Sequence, residues 1–257
     1  MRYFIHLAYK GTHYRGWQRQ AEASSVQQVL EEKLSEVLSQ PIHVHPCGRT
    51  DAGVHASQFF VHFTVEEAID FDFVFRMNKK LPNDIAVYDL IPVPEKANAQ
   101  LDATARTYRY YFHLNRNPFW EEGSTWYPLE NFDIQKTQQL FPLLTKYNDF
   151  RSMCLKPDTH NHTLCTIEYA KLESLPNDRF CFEIKANRFL RGMVRLLVGR
   201  LLDVGTGKIS IKEFEHCLQT GERVEHHTLA YPQGLYLAKV EYPFFDIESK
   251  GQKSADY

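Results

Sequence analysis

Between two stretches rich in strand-forming residues the chain carries Gly48-Arg49-Thr50-Asp51-Ala52-Gly53-Val54-His55. A short connection held by a rigid scaffold is where functional side chains are commonly presented. Gly48 and Gly53 let the backbone turn tightly on either side. If the residues between them are extended, Arg49 and Asp51 point the same way. An arginine beside a carboxylate favours its ionised form and holds its geometry. An ionised, pre-oriented aspartate is what a covalent nucleophile needs. An Asx-turn with a structural salt bridge would use the same residues, and read alone the segment favours that plainer account.

A second group lies far along the chain. Arg188, Arg191 and Arg195 fall at i, i+3 and i+7, one stripe of a helix predicted from about Phe189 to Val204. Leu190, Met193, Val194, Leu197 and Leu201 point elsewhere, towards a core. A cationic stripe suits RNA phosphates or an active-site carboxylate, and a solvated helix face explains it equally well. Cys154, His160, His162 and Cys165 are ligand types for tetrahedral zinc. They form neither a CxxC nor an HxxxH pair, so the segment reads as a polar loop and no metal is expected. His226-His227 reads as surface or an RNA contact. Gly205-Thr-Gly207 lacks the rest of a dinucleotide or P-loop pattern and reads as a helix stop.

The elements that must position these groups follow from periodicity. Tyr3 to Tyr9 alternates as a strand. After the loop GTHYRGWQRQ, a helix starts near Ser24 or Ser25, each followed three residues later by a glutamine, and ends at Pro41. Ile42 to His45 and Ser57 to Val65 are strands, Phe71 to Lys80 a helix and Ile85 to Ile91 a strand. In the second half Thr107 to Leu114, Thr166 to Glu173, Arg179 to Ala186 and Leu235 to Tyr242 are strands. Asp133 to Thr145 and Ile211 to Gln219 are helices. This is an α+β chain. It is expected to form two small α+β domains of similar topology, with mixed or antiparallel sheets flanked by helices and the active site in a central cleft. The expected division is 1–101, 102–245 and a polar tail 246–257.

The bulk numbers bound the partners. The 257 residues are 43% hydrophobic and 14% aromatic, enough for a sizeable core. No run approaches the twenty or so apolar residues of a membrane helix, and the first residues read as a strand rather than a signal peptide. Five scattered cysteines argue for reduced thiols in a cytoplasmic protein. Thirty basic against thirty-two acidic residues give a net charge of −2, unlike a dedicated nucleic-acid binder. The cations cluster, however, in residues 1–20, in Arg106, Arg109 and Arg116, and in 185–208.

GRTDAGVHA closely resembles the signature of the TruA family of tRNA pseudouridine synthases. YRGWQRQ with Ser25-Val-Gln behind it, LPNDIAV (81–87), ATARTYRYY (103–111), FLRGMVRLLVGRLLDVG (189–205) and GLYL (234–237) resemble further blocks of that family, in family order, from about Tyr9 to Tyr242. The resemblance implies an isomerase that converts uridine to pseudouridine on the 3′ side of the tRNA anticodon arm, positions 38 to 40. It also implies a homodimer in which one tRNA contacts both subunits, and no cofactor or metal. By position, Asp51 matches the nucleophile. Arg49 matches the arginine that pairs with it and helps hold the target base out of the stack. Tyr108 matches the tyrosine packed on the uracil, and Arg195 an arginine at the active cleft.

Three segments depart from the family pattern. Ala97-Asn-Ala-Gln100 stands where a Phe-His-Ala-Arg-like run is usual, RSMCLKPDTHNHTLC diverges after Asp149-Phe150, and HHTLAYPQ before GLYL is bulkier than usual. They bear on RNA docking rather than on Asp51. Three rival readings stand beside the enzyme. A catalytically silent RNA-binding protein would have no need of Asp51, Arg49 and Tyr108 together. A carboxylate-dependent hydrolase needs a second placed acid, and the nearest are Glu36 and Glu66. The same isomerisation at other RNA positions is the reading that the sequence excludes least.

Overall fold

The computed structural model describes residues 1–223 and 229–247; His226-His227 and the tail beyond 247 lie outside them. In chain order the elements are β1 (Arg2–Tyr9), α1 (Val26–Leu38), β2 (His45–Pro46), β3 (His55–Thr64), α2 (Phe73–Lys80), β4 (Ile85–Val93) and β5 (Ala105–His113). There follow β6 (Thr125–Trp126), α3 (Ile134–Gln138), α4 (Phe141–Lys146), β7 (Ile167–Leu175), β8 (Arg179–Ala186), α5 (Met193–Gly205), α6 (Ile211–Thr220) and β9 (Leu235–Glu241). They divide into two compact units: Met1–Arg106 with the chain from Tyr236 onward, and Thr107–Leu235.

In the first unit β1 runs antiparallel to β3 on one side and to β4 on the other. β2 adds antiparallel to β3, and β9 pairs parallel to β3 at His55↔Tyr236 and Ala56↔Leu237. The sheet is therefore mixed. From Tyr3 to Tyr9 every residue of β1 is buried, so this central strand is covered on both faces. Ser25 caps α1 by accepting from the Gln28 N–H, and Val26, Leu30 and Leu34 bury the predicted stripe. α2 packs on β4 and touches α1.

In the second unit β7 and β8 form an antiparallel hairpin, β8 neighbours β5, and β5 pairs parallel with β6. Asn177 and Asp178, both at positive φ, turn the hairpin. α4 lies on β7 and α3 on α5.

Several expectations change, and the strand expected over Ile42 to His45 is only His45–Pro46. The arginine-bearing helix begins at Met193, not near Phe189, because Gly192 sits at φ +70° and breaks the helical path. Arg188 and Arg191 therefore precede α5, and the one-stripe arrangement does not form. α5 itself is a core helix in which every residue but Arg195 is buried. The single helix expected over Asp133 to Thr145 is two, α3 and α4, with Pro142 in the first turn of the second. β6, two residues long, was too short to show alternation.

Candidate active site

Asp51 opens a tight turn whose first link is the Val54 N–H bonded to the Asp51 carbonyl at 3.2 Å, with Gly53 at φ +76°. Its side chain is half-buried, Thr50 before it is buried and Arg49 is exposed. The turn is held from outside. Residues 11–17 run alongside it: the Trp17 N–H donates to the Thr50 carbonyl (3.1 Å) and the Gly53 N–H to the Tyr14 carbonyl (3.3 Å). The Tyr9 hydroxyl meets Thr50 Oγ1 at 2.8 Å, and the Gly11 N–H donates to His55 Nδ1 at 3.0 Å. Trp17, with no exposed surface, stacks on Phe59 at 4.3 Å and anchors the flanking loop.

This flanking loop is itself fixed by the two other resembling blocks of the unit. Gln27, in the Ser25-Val-Gln block, donates its N–H to the Trp17 carbonyl and accepts from the Arg19 N–H at its side chain. Asp84, in LPNDIAV, accepts from the Tyr14 hydroxyl at 2.7 Å and its carbonyl takes the Lys10 N–H. Burial beside the Asp84 carboxylate raises the Tyr14 pKa, so the phenol stays a donor. GRTDAGVH, YRGWQ and LPND thus meet within one unit.

On the other flank stands Arg106, which sequence reasoning placed only in a basic segment. Its guanidinium donates to the carbonyls of Cys47 (2.7 Å) and Gln100 (2.9 Å), tying the residue before Gly48 to the 97–102 turn. That turn is the segment departing from the family's Phe-His-Ala-Arg run. Asn98 Oδ1 accepts from the N–H groups of Gln100 and Leu101, and His62 Nδ1 accepts from the Ala99 N–H at 3.1 Å. No periodicity signals an arginine that bonds backbone carbonyls.

The expected Arg49–Asp51 ion pair is not formed: among the described residues Arg49 has no carboxylate within 4.0 Å, and its side chain faces solvent.

The remaining candidates belong to the second unit. Tyr108, on β5, is half-buried and meets Phe189 edge-on, with ring centroids 4.9 Å apart and planes at 82°. Further along the same face the Tyr110 hydroxyl lies within 2.9–3.0 Å of Thr125 Oγ1, Tyr127 Oη and the Tyr231 carbonyl. Burial, with the neighbouring Tyr127, raises the Tyr110 pKa, so this phenol is a structural donor. Arg195, in the first turn of α5, donates its Nε–H to the Ala230 carbonyl at 2.7 Å, and the Ala230 N–H returns to the Arg195 carbonyl. The chain leading into Gly234-Leu-Tyr-Leu is pinned by these contacts.

Arg188 is half-buried against His162, with its Nη1 3.1 and 3.3 Å from the two ring nitrogens, while Arg191 is exposed. Cys154 and Cys165 are buried, and burial pushes the Cys165 thiol up to about 11. His162 is exposed. Among the described residues no three His, Cys, Asp or Glu side chains are grouped as metal ligands would be.

The sequence model of the tRNA pseudouridine synthase family matches residues 6–100 and 147–243. Similar proteins include a tRNA pseudouridine synthase A of Bacteroides fragilis, 41% identical over 94% of this chain and 96% of its own length. One of Porphyromonas gingivalis is 40% identical over 94% and 97%, and one of Vibrio cholerae 37% over 95% and 92%.

Proposed function

The chain belongs to the tRNA pseudouridine synthase family, as an isomerase, and we propose that it acts through Asp51 on uridines of the 3′ side of the anticodon arm, positions 38 to 40. The observation that carries this reading is the turn at Asp51: a half-exposed carboxylate on a backbone laced from both flanks by Trp17, Tyr14, Thr50 and Arg106. A nucleophile that must not reorganise during reaction needs such a support.

The reaction breaks the C1′–N1 glycosidic bond, turns the uracil and forms a C1′–C5 bond. The hydrogen at C5 leaves to water and N1 takes up a proton, so neither redox equivalents nor phosphate energy enter. A uridine inside a stem must first be flipped out, at about a few kcal/mol. Exposed Arg49 fills the vacated place or holds the base outside, and Tyr108 stacks on the ring, worth roughly 1–3 kcal/mol. Arg195 serves the cleft, and Arg188 and Arg191 contact RNA. Shape and phosphate contacts dominate such recognition. The protein works as a cytoplasmic homodimer in which one tRNA touches both subunits. The family resemblance supports that assembly; among the described residues no helix is long and apolar enough to cross a membrane.

The test incubates the protein, without cofactor or added metal, with unmodified tRNA tritiated at uridine C5. Wild type releases tritium to water and Asp51→Ala does not while still binding tRNA. Tritium release by Asp51→Ala at the wild-type rate would remove the nucleophile from this role. Binding without release by the wild type would favour the silent RNA-binding protein. Mapping the product fixes the position.

A further inference from the structure

In the second unit several lysines and arginines have their charge answered by a carboxylate. Arg109 pairs with Glu183, Lys146 with Glu215, Lys171 with Glu173 and Glu183, Lys185 with Glu168 and Arg200 with Asp203. One corner differs. The loop 155–165 and the segment 187–191 are stitched together by three links: Leu155 N–H to the Arg191 carbonyl (3.0 Å), Arg188 against His162, and Thr166 N–H to Asn187 Oδ1 (2.8 Å). The approach is close, since a Cβ at Gly192 would stand 2.5 Å from the Leu155 side chain.

This stitching sets the stretch that carries Lys156 and His162 beside the stretch that carries Arg188 and Arg191. Lys156 and Arg191 are exposed, and among the described residues neither has an ion-pair partner. Among the described residues Arg188 hydrogen-bonds only to the His162 ring, and that contact needs a ring nitrogen lone pair turned towards the guanidinium. Leu164 N–H also donates to His162 Nδ1, at 3.3 Å, so that nitrogen is the acceptor. His160 Nε2 is buried without a hydrogen-bond partner. The acid in the loop, Asp158, is spent on Arg151. Unanswered cations on a backbone-braced surface are chemistry for a polyanion with regularly spaced charges.

We propose that this corner is a phosphate-backbone contact for RNA, formed by Lys156, Arg188 and Arg191, and that the divergent 155–165 loop completes it. The proposal rests on tRNA being the substrate. It is independent of the chemistry at Asp51 and carries no base recognition, because its groups are point charges and donors without a fixed pairing geometry.

The experiment measures binding of an unmodified tRNA transcript at a series of salt concentrations. The variants are Lys156→Ala, Arg191→Ala, their double, the charge-keeping Arg188→Lys, and Lys212→Ala on α6 as a control of equal charge loss. Thermal melting of each checks its fold. Lys156→Ala and Arg191→Ala each weaken binding roughly threefold to tenfold and reduce the slope of log K against log salt by about 1. The double roughly sums these, Arg188→Lys keeps most of the affinity, and Lys212→Ala matches wild type. A folded double variant with the affinity and slope of the Lys212→Ala control overturns the contact; if wild type still releases tritium from tRNA, the enzymatic reading survives it. A wild type that neither binds tRNA nor releases tritium overturns both.

Discussion

The backbone at Asp51 is fixed by neighbours on both sides of its turn. Thr50 is locked by Tyr9, Cys47 by Arg106, and Arg106 by the same turn whose Ala99 N–H donates to His62. His62 is therefore a residue at which this support titrates. Burial, with His45 stacked at 4.8 Å and Arg2 nearby, holds its pKa down to about 4 against an ordinary 6.5. Its Nδ1 must stay unprotonated to accept from Ala99. The folded state therefore binds its proton later than the unfolded chain does. The contribution is fully present above about pH 6.5 and is lost as pH falls towards 4. Between pH 7 and 5 that amounts to roughly 2 kcal/mol, or about 5 °C in Tm. His62→Asn, whose side-chain oxygen can accept from Ala99 and does not titrate, should lose correspondingly less over the same interval. Equal losses in the two proteins would show that His62 is not the group responsible.

At the scale of elements, the flanking loop acts as a splint. Gly16 sits at φ +90°, and a Cβ there would stand 2.6 Å from the Thr50 carbonyl. Gly16→Ala should cost about 1–3 kcal/mol from the backbone conformation alone. Because the clash is with Thr50, kcat for tritium release should fall by more than tRNA affinity does. A variant that loses stability but keeps kcat would mean the loop is merely packed and sets no geometry. Much of this architecture was legible. α1 carries its stripe and its serine cap in plain sequence, and the long strands alternate or run apolar with turn residues between them. Asp51 stood out only because several blocks occurred in order; its bare motif favoured a structural turn. What could not be read was tertiary in origin. Arg188-x-x-Arg191 keeps helical spacing, and only the left-handed Gly192, packed against Leu155, makes that helix start late, at Met193. Arg106 and Asn98 act through backbone carbonyls and N–H groups, which leave no pattern in residue types.

At the scale of the whole molecule the chain leaves the first unit at Arg106 and returns to it at Tyr236. β9 is thus as much a part of the first sheet as β1, although more than a hundred residues separate it from β4. It pairs with β3 next to His55, buries Leu237, Ala238 and Val240, and takes a bond from its Val240 N–H to Gln58 Oε1 at 2.8 Å. Tyr242 beyond it donates to the Ala99 carbonyl, in the same turn that holds Arg106. A fragment of residues 1–106 lacks all of this. It would expose the edge of β3 and leave the Gln58 amide oxygen and the Ala99 carbonyl unanswered. Cys47 supplies the readout. In the full chain it is buried, with its thiol pushed up to about 11 by that burial, so it should resist a disulfide reagent at pH 8. The 1–106 fragment should react at the rate of an unfolded thiol and show little cooperative melting. A fragment that melts cooperatively and protects Cys47 would mean that the first unit is complete without β9. The late strand would then be an attachment to a finished sheet, and the support it lends Asp51 through Ala99 would be dispensable.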